Sequence, residues 1–598
     1  MSRAGLALLL LAVVGCDPIA PLPELKEEDI SVRLGPNNSL VTESWSSVQV
    51  RVKNRGETFN GVLEVRGGND PQGAAHGDNV LYRMPLEVPG KGSAERQVSF
   101  PVFVNAWTYV TVAFRQPGYV FQRSYELKQV EEAVDFDPDV EPGATSTVRL
   151  LVFGEAVPAL EQLKKHLQMP NKRTSLGIPP VQTPRSLPAV ATAFDPYYLV
   201  VLYGTALDDA PEGALEAFGR WVERGGSLVV VPGPAWSGGL PPALAKLLSV
   251  ERAAGDAAPA DLKKAYGKAA SSAYHAGLVP AGSAKLIEDG LAVEARRGLG
   301  TVTTLAFGPT GAELPTEPEA PGLYRVLERA NQRALGSARE SNALLRYERF
   351  AETDLRGLAS FRVPPRSAVV WGLVIYLAAG FFVPGMIFRW LKRPEWTYVV
   401  LVVVAASFTV LIHRYGLLSA LQDPEIEEIN VLRVHADGQG VEATSYVGVM
   451  SPNAREVRLF DPQAPRAEEH PLHTALPRPF LLRDPSASWT AELFRESHTI
   501  DVDRAGRLRM GPVPLAPNEL RAVRYDYRLP PDRIPAHSVP FVRGERGAGI
   551  AARLAQLGLV PESSGKSMRY SRASVFPGAW EITERHAVTI VIEEDPAE

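Results

Sequence analysis

An uninterrupted apolar run in the middle of the chain restricts the possible folds more than any other feature. Ser367 to Phe388 has no charged side chain over 22 positions. At about 1.5 Å per helical residue, this run spans the roughly 30 Å hydrocarbon core of a bilayer. Arg389, Lys392 and Arg393 follow it, and a second uncharged run extends from Trp396 to Ile412. The sequence therefore predicts two transmembrane helices, at 367–388 and 396–412, that form a hairpin.

The N-terminus has the pattern of an export signal. A basic start, Met1 to Arg3, precedes an apolar stretch that is too short for a stable transmembrane helix, so a signal peptide is predicted at 1–15. The residues Val13-Val14-Gly15-Cys16 resemble the lipobox of bacterial lipoproteins. This resemblance implies cleavage before Cys16 and a diacylglyceryl group on its thiol, followed by a tether at 16–28. The alternative is an ordinary signal peptide with an incidental cysteine.

The charges around the apolar runs predict one orientation in the membrane. The loop RWLKRPEW holds three basic residues, and the positive-inside rule assigns such a loop to the cytoplasm. The exported signal points the same way, so residues 17–366 and 415–598 are both expected outside the cytoplasm. Asp17 resembles an inner-membrane retention signal of lipoproteins. The predicted location is the bacterial inner membrane, with the large domains on the periplasmic side.

Residues 29–140 alternate apolar and polar side chains between short turns. Val48, Val50 and Val52 alternate with Gln49 and Arg51, which is the pattern of a half-buried strand. The segment VQVRVKNRGETFNGVLEVRG resembles immunoglobulin-like modules of bacterial surface proteins. The sequence predicts a β-sandwich here.

Residues 147–340 have a different pattern of apolar residues. The apolar runs YLVVLY (198–203) and SLVVV (227–231) flank a helical pattern that begins at Pro211. This β-α-β order predicts a parallel, doubly wound sheet. The stretch FDPYYLVVLYGTALDDAPEGALEAFGRWVERGGSLVVVPG resembles the core of class I glutamine amidotransferase-like domains. The resemblance implies a closing strand pair and a last helix at 322–335.

The amidotransferase resemblance does not extend to catalysis. It implies a cysteine nucleophile, but Cys16 is the sole thiol of the chain and lies outside the domain. Ser237 lacks the Gly-x-Ser-x-Gly context of a serine nucleophile. We therefore expect no enzyme, no cofactor and no metal; a hydrolase that uses Ser237 is a third-ranked alternative.

Open parallel sheets bind ligands at the carboxyl ends of their strands. That rule defines a possible crevice for a peptide or glycan, formed by Gly154, Glu155, Tyr203, Gly204, Thr205, Pro232, Gly233, Trp236 and Ser237. The alternative is that the glycines only make tight loops.

Residues 425–598 predict a β-rich domain with one helix near 549–557. His470 and His473 lie near Glu468 and Glu469, but a proline interrupts their spacing, so a solvated loop is expected rather than a metal site. A nearly balanced charge, 63 basic against 68 acidic side chains, gives no reason to expect nucleic acid. The predicted fold class is a multidomain α+β membrane protein.

These features together predict a non-catalytic inner-membrane lipoprotein with exported scaffolding or sensing domains in an envelope complex. The predicted partners are the membrane, through a lipid anchor and two helices, and envelope proteins. Resemblance to related bacterial proteins implies that these envelope partners include a MoxR-type ATPase or a transporter system. The alternative is a ligand-binding or substrate-delivery protein that uses the α/β crevice.

Overall fold

A computed structural model of the chain describes residues between 23 and 594 with gaps. The longer stretches outside the description are 1–22, 69–79, 132–145, 155–173, 178–186, 234–243, 253–272, 310–320, 359–365, 458–475, 480–497, 503–507, 541–545, 560–565, 576–583 and 595–598. The predicted signal peptide and lipobox cysteine, Cys16, lie outside the described residues.

The N-terminal region consists of strands. They are β1 (Ile30–Leu34), β2 (Leu40–Val41), β3 (Ser44–Lys53), β4 (Phe59–Gly68), β5 (Val80–Val88), β6 (Glu95–Val104), β7 (Tyr109–Gln116), β8 (Tyr119–Glu126) and β9 (Val130–Glu131). Strands β1, β3 and β6 form one antiparallel sheet, and β5, β4, β7 and β8 lie side by side in another. The alternation predicted at Val48, Val50 and Val52 is confirmed, since all three are buried in a core shared by both sheets.

The next region contains a mostly parallel sheet. Its elements are β10 (Ser146–Gly154), β11 (Thr174–Gly177), β12 (Leu199–Tyr203), α1 (Ala214–Glu223), β13 (Ser227–Val231), β14 (Val250–Arg252), β15 (Ala273–His275), β16 (Leu278–Pro280), β17 (Lys285–Ile287), β18 (Ala292–Arg297), β19 (Gly300–Leu305), β20 (Phe307–Pro309) and α2 (Pro321–Leu358). The sheet order is β11-β10-β12-β13-β19-β18-β17, with β18 and β17 antiparallel. The predicted β-α-β unit is confirmed at β12, α1 and β13.

Helices cover both faces of this sheet. Phe218 and Trp221 of α1 stack in the core of one face. Leu323 and Leu327 of α2 pack in the core of the other. The strands β12 and β13 are buried on both sides, which explains their continuous apolar sequences.

Helix α2 is much longer than the sequence predicted. The expected helix at 322–335 continues without interruption to Leu358, for 38 residues in total. Its second half buries Ala343, Tyr347, Ala351 and Leu355 in a separate core. The spacing of four residues keeps these side chains on one face, so the helix remains packed after residue 335.

Apolar helices follow. They are α3 (Arg366–Leu377), a π-helical turn (Ala378–Phe382), α4 (Val383–Trp390) and α5 (Trp396–Ser419). Among the described residues, the stretch Val370–Trp390 is long and apolar enough to cross a membrane, and Trp396–Leu411 is a shorter apolar helix. The rings of Tyr376 and Phe408 lie 5.2 Å apart, so the two helical stretches contact each other.

The C-terminal region builds another sheet. Its elements are β21 (Glu425–Val434), β22 (Val441–Met450), β23 (Arg455–Val457), β24 (Leu476–Pro479), β25 (His498–Val502), β26 (Leu508–Met510), β27 (Val513–Leu515), β28 (Leu520–Leu529), β29 (Val539–Pro540), α6 (Arg546–Gln556), β30 (Lys566–Ser571) and β31 (Glu584–Glu594). The sheet order is β24-β28-β22-β21-β31-β30-β29. The second half of α2 and Leu554 of α6 pack on one face of it.

Two strands of the C-terminal region belong to the N-terminal sheet. Strand β25 pairs in parallel with β5, with Ile500 opposite Tyr82, and β26 extends the sheet beyond β25. Ile500, Val502 and Leu508 are buried in the N-terminal core. The region predicted as one β-rich domain, 425–598, therefore contributes to two sheets. The chain is a mixed, sheet-rich protein whose parts before and after the apolar helices interlock.

Candidate functional site

The carboxyl ends of three parallel strands meet at one edge of the α/β sheet. Gly154 of β10 is in register with Tyr203 of β12, and Tyr203 is in register with Val231 of β13. Pro232 and Gly233 continue directly from Val231. The structure thus brings together the strand-end residues of the predicted crevice.

Backbone segments approach one another closely at this edge. A Cβ atom on Gly154 would lie 2.3 Å from the carbonyl oxygen of Tyr203, and one on Gly233 would lie 2.6 Å from Cα of Gly204. Gly204 has a φ of +63°, which favours glycine, and its N–H donates to the Val231 carbonyl at 2.9 Å. These glycines permit tight loops, as the alternative interpretation expected.

The Tyr203 hydroxyl is the polar group that this edge leaves unmatched. The side chain is 7% exposed and packs in the core beside α2. Its hydroxyl has no hydrogen-bond partner among the described residues. Burial raises the pKa of this phenol well above its usual range, so the group stays protonated.

Four of the predicted crevice residues, Glu155, Thr205, Trp236 and Ser237, lie outside the described residues. The histidines considered for a metal, His470 and His473, lie outside them as well. Both predictions stay predictions.

A buried cluster of charges joins α2 to the C-terminal sheet. The Arg524 guanidinium donates to Glu348 of α2 at 2.8 Å and to Asp526, two residues along β28, at 3.0 Å. The Thr444 hydroxyl donates to the same Asp526 oxygen at 2.8 Å. Burial by itself raises the pKa of Asp526, but the guanidinium groups of Arg524 and Arg224 outweigh it and hold the pKa below its usual value.

Charges of the α/β region face this cluster. Asp195 and Arg224 form an ion pair at 3.6 Å. Burial raises the pKa of the Asp195 carboxyl to about 6, and the attraction of Arg224 offsets only part of that effect. The side chain of Asp195 is 24% exposed, so solvent protons reach it. Asp195 is therefore a carboxyl that titrates at mildly acidic pH.

Glu223, at the end of α1, connects the α/β region to the C-terminal sheet. One of its oxygens accepts from Arg297 of β18 at 3.1 Å. The other accepts from Arg528 of β28 at 3.0 Å. The carboxylate thus links the C-terminal sheet to the α/β region, and partly exposed ion pairs of this kind contribute about 1 kcal/mol or less.

Three side chains with metal-binding atoms meet between β21 and β31. One donor atom each of Glu425, Glu427 and His586 lies within 4.8 Å of the other two. Glu427 stands in register with His586, and Glu425, two residues earlier, lies on the same face of β21. Sequence reasoning missed this cluster because 159 residues separate Glu427 from His586. The available signal was the alternation of acidic and apolar residues at the start of β21.

Comparison with known proteins gives a partial match. Residues 28–128 match the family described as a domain of unknown function (DUF8726). That match covers about one sixth of the chain and contains strands β1 to β8. None of the curated proteins matches the chain.

Two solved structures are similar over short parts of the chain. One is the β-glucosidase from Listeria innocua in complex with isofagomine, at 13% identity and a TM-score of 0.13, covering 18% of this chain and 16% of the enzyme. The other is the CARDB domain of PF1109 from Pyrococcus furiosus, at 16% identity and a TM-score of 0.11, covering 17% of this chain and 94% of that domain.

Proposed function

We propose that the chain is a non-catalytic lipoprotein of the bacterial inner membrane whose exported domains form one scaffold in an envelope protein complex. The proposed domains are an immunoglobulin-like sandwich, an amidotransferase-like α/β domain and a C-terminal β-rich domain. A transmembrane hairpin and an acylated Cys16 would hold them at the membrane. The sequence supports the absence of amidotransferase chemistry, since the chain has no second cysteine.

The interlocked sheets carry this proposal. Strand β5 precedes the apolar helices and β25 follows them, yet the two strands are paired along His498 to Asp501. Strands on opposite sides of a membrane cannot share a sheet. The number of crossings between them must therefore be even, which means two or none.

Two crossings fit the apolar helices better than none. The side chains of Trp371, Phe382, Val402 and Val403 are exposed on the protein surface. Exposing contiguous apolar surface to water is unfavourable, whereas lipid accepts it. The full α5 helix has 24 residues, which is about 36 Å at 1.5 Å per residue. It is long enough to return across a bilayer although its apolar part is shorter.

Cysteine accessibility tests the hairpin. Single cysteines replace Arg51, Lys392 or Glu456, which are exposed before, between and after the apolar helices. A membrane-impermeant maleimide applied to spheroplasts should label positions 51 and 456 and spare position 392. Labelling at all three positions would show that the helices do not cross the membrane. Labelling at only one of positions 51 and 456 would contradict the paired sheets.

A cross-link tests the interlock in the same membranes. Leu81 and Thr499 are partners in the β5–β25 pair, and neither is fully buried. Cysteines at these positions should form a disulfide on oxidation. Glu87 lies six residues further along β5, about 20 Å away, so a Glu87–Thr499 cysteine pair is the matched control and should not cross-link.

The scaffold role is tested by co-purification. Tagged full-length protein is extracted from native membranes in mild detergent, and the proteins recovered with it are quantified by mass spectrometry. A set of envelope proteins at stoichiometric ratio, missing from an unrelated tagged membrane protein, is the expected result. Recovery of the chain alone would contradict the scaffold.

The buried Tyr203 hydroxyl favours a second candidate, ligand binding at the α/β sheet edge. A peptide or glycan with a hydrogen-bond acceptor would satisfy this donor. Tyr203→Phe removes only the hydroxyl. Under this second candidate, ligands found by screening the full-length protein should lose affinity in the variant, while its thermal stability stays equal or rises. Unchanged affinity for every ligand found would eliminate this role for Tyr203.

A further inference from the structure

We propose that Glu425, Glu427 and His586 form a binding site for a divalent transition-metal ion. Two carboxylates and one imidazole each offer a donor atom within 4.8 Å of the others. Carboxylate oxygen suits Mn²⁺ and imidazole nitrogen suits Zn²⁺, so this mixed set selects transition metals over Ca²⁺ and Mg²⁺. Three protein ligands leave a coordination position for water.

The two carboxylates of the site are buried. Glu425 is 1% exposed and Glu427 is 0% exposed, on the same face of one strand. A divalent cation bound between them attracts both carboxylates, and this attraction is stronger in a buried site than in water.

The described residues opposite the two carboxylates on β22 are apolar. Gly448 stands opposite Glu427 on β22, and Leu355 of α2 and Leu520 of β28 reach its backbone; a Cβ on Gly448 would lie 3.3 Å and 2.7 Å from them. Met450, opposite Glu425, is also buried. A low-polarity environment strengthens the attraction between carboxylates and a cation.

The exposed His586 makes the site accessible to an ion from solvent. Its side chain lies at the surface while both carboxylates are buried beneath it. An ion can therefore enter from solvent, bind His586 and the carboxylates together, and keep a water on its outer side.

The site lies close to the end of the apolar helices in the sequence. Glu425 begins β21 only six residues after α5 ends at Ser419, which is about 20 Å of extended chain at most. His586 lies on β31, the neighbouring strand. A bound ion would tie the strand that leaves the apolar helices to the C-terminal strand. We assign it a structural role, independent of the scaffold proposal.

Zinc binding to the full-length protein tests this site. The protein, purified in detergent and stripped with a chelator, is dialysed against Zn²⁺ and, separately, Mn²⁺, and bound metal is measured by mass spectrometry. One ion per chain is expected. Because substitutions in the surroundings of a metal already lower affinity about 10–100-fold, loss of a ligand in His586→Ala should weaken binding at least about tenfold.

Controls separate this site from other metal-binding groups. Glu456→Gln makes the same charge change as Glu427→Gln at an exposed position of the C-terminal region and should bind as the wild type does. Because His586 is exposed, His586→Ala should fold even if Glu427→Gln does not. Zn²⁺ should also raise the melting temperature of the wild type and not of His586→Ala.

Two results would overturn the proposal. The first is wild-type protein that binds no stoichiometric Zn²⁺ or Mn²⁺, which would mean that basic groups of the chain neutralise the carboxylates. The second is equal affinity in wild type and His586→Ala, which would place the metal elsewhere.

Discussion

Replacing Ile500 with alanine should destabilise a domain that lies more than 370 residues earlier in the sequence. Ile500 is 0% exposed in the core that the two N-terminal sheets share, opposite the equally buried Tyr82. The substitution removes three carbon atoms, about 2.4 kcal/mol at about 0.8 kcal/mol each. The cavity left behind adds to this, and such changes typically cost about 2–5 kcal/mol.

Hydrogen exchange measured by mass spectrometry on the full-length protein resolves where the stability is lost. A loss of at least about 2.4 kcal/mol corresponds to exchange about fifty-fold faster in amides that exchange by opening of the N-terminal sheets. Peptides from β3 and β5 should show this change, and peptides from β21 and β22 should not. Ile590→Ala is the matched control, since Ile590 is 0% exposed in the C-terminal sheet. It should give the reverse pattern.

Two outcomes would refute the reasoning. If Ile500→Ala accelerates exchange in β21 and β22 but leaves β3 unchanged, β25 belongs to the C-terminal sheet. If the change is confined to residues 498–510, β25 and β26 cover the N-terminal sheets without contributing to their core.

Three further predictions concern the α/β region and its junction with the C-terminal sheet. The Asp195 carboxyl has a pKa of about 6 in the folded protein, against an ordinary value of 3.8. The folded state therefore holds this proton more tightly than the unfolded state does, and stability falls as the pH rises from 4 to 6. Because Asp195→Asn has no such proton to lose, its melting temperature should rise relative to that of the wild type across this range. Gly300→Ala places a Cβ 2.0 Å from a carbonyl oxygen of α1 and should prevent normal folding in thermal melts, whereas Gly336→Ala, in open space on α2, should be neutral or stabilising by up to about 1 kcal/mol. Asp526→Asn removes one of the two carboxylates that pair with the buried Arg524 and should cost about 3–5 kcal/mol in chemical denaturation. A loss below about 1 kcal/mol would mean that Glu348 alone compensates the guanidinium charge.

Local patterns predicted individual elements well. The alternation at β3 and the apolar runs of β12 and β13 all correspond to strands in the structure. The periodicity of apolar side chains depends on which faces of an element are buried. It can therefore be read from neighbouring residues in the sequence. Helix α2 was underestimated because its first half faces one core and its second half another, so one continuous stripe was not apparent.

The candidate sites were less predictable. The strand ends at Gly154, Tyr203 and Gly204 follow from the order of β-α-β units, and the structure places them side by side. The partners of Arg524 and Asp195 could not be inferred, because they come from distant segments. No local pattern connects His586 with Glu427, because they lie on strands far apart in the chain.

The sequence alone determined the apolar helices, the parallel α/β sheet and the strand-rich character of both flanking regions. Each depends on burial patterns of residues that are near one another in the sequence. Only the tertiary structure decided that β25 joins β5, that α2 serves two cores, and that Glu427 meets His586. A strand has the same two-residue period whichever sheet it enters, so its partner is fixed by packing between segments far apart in the chain.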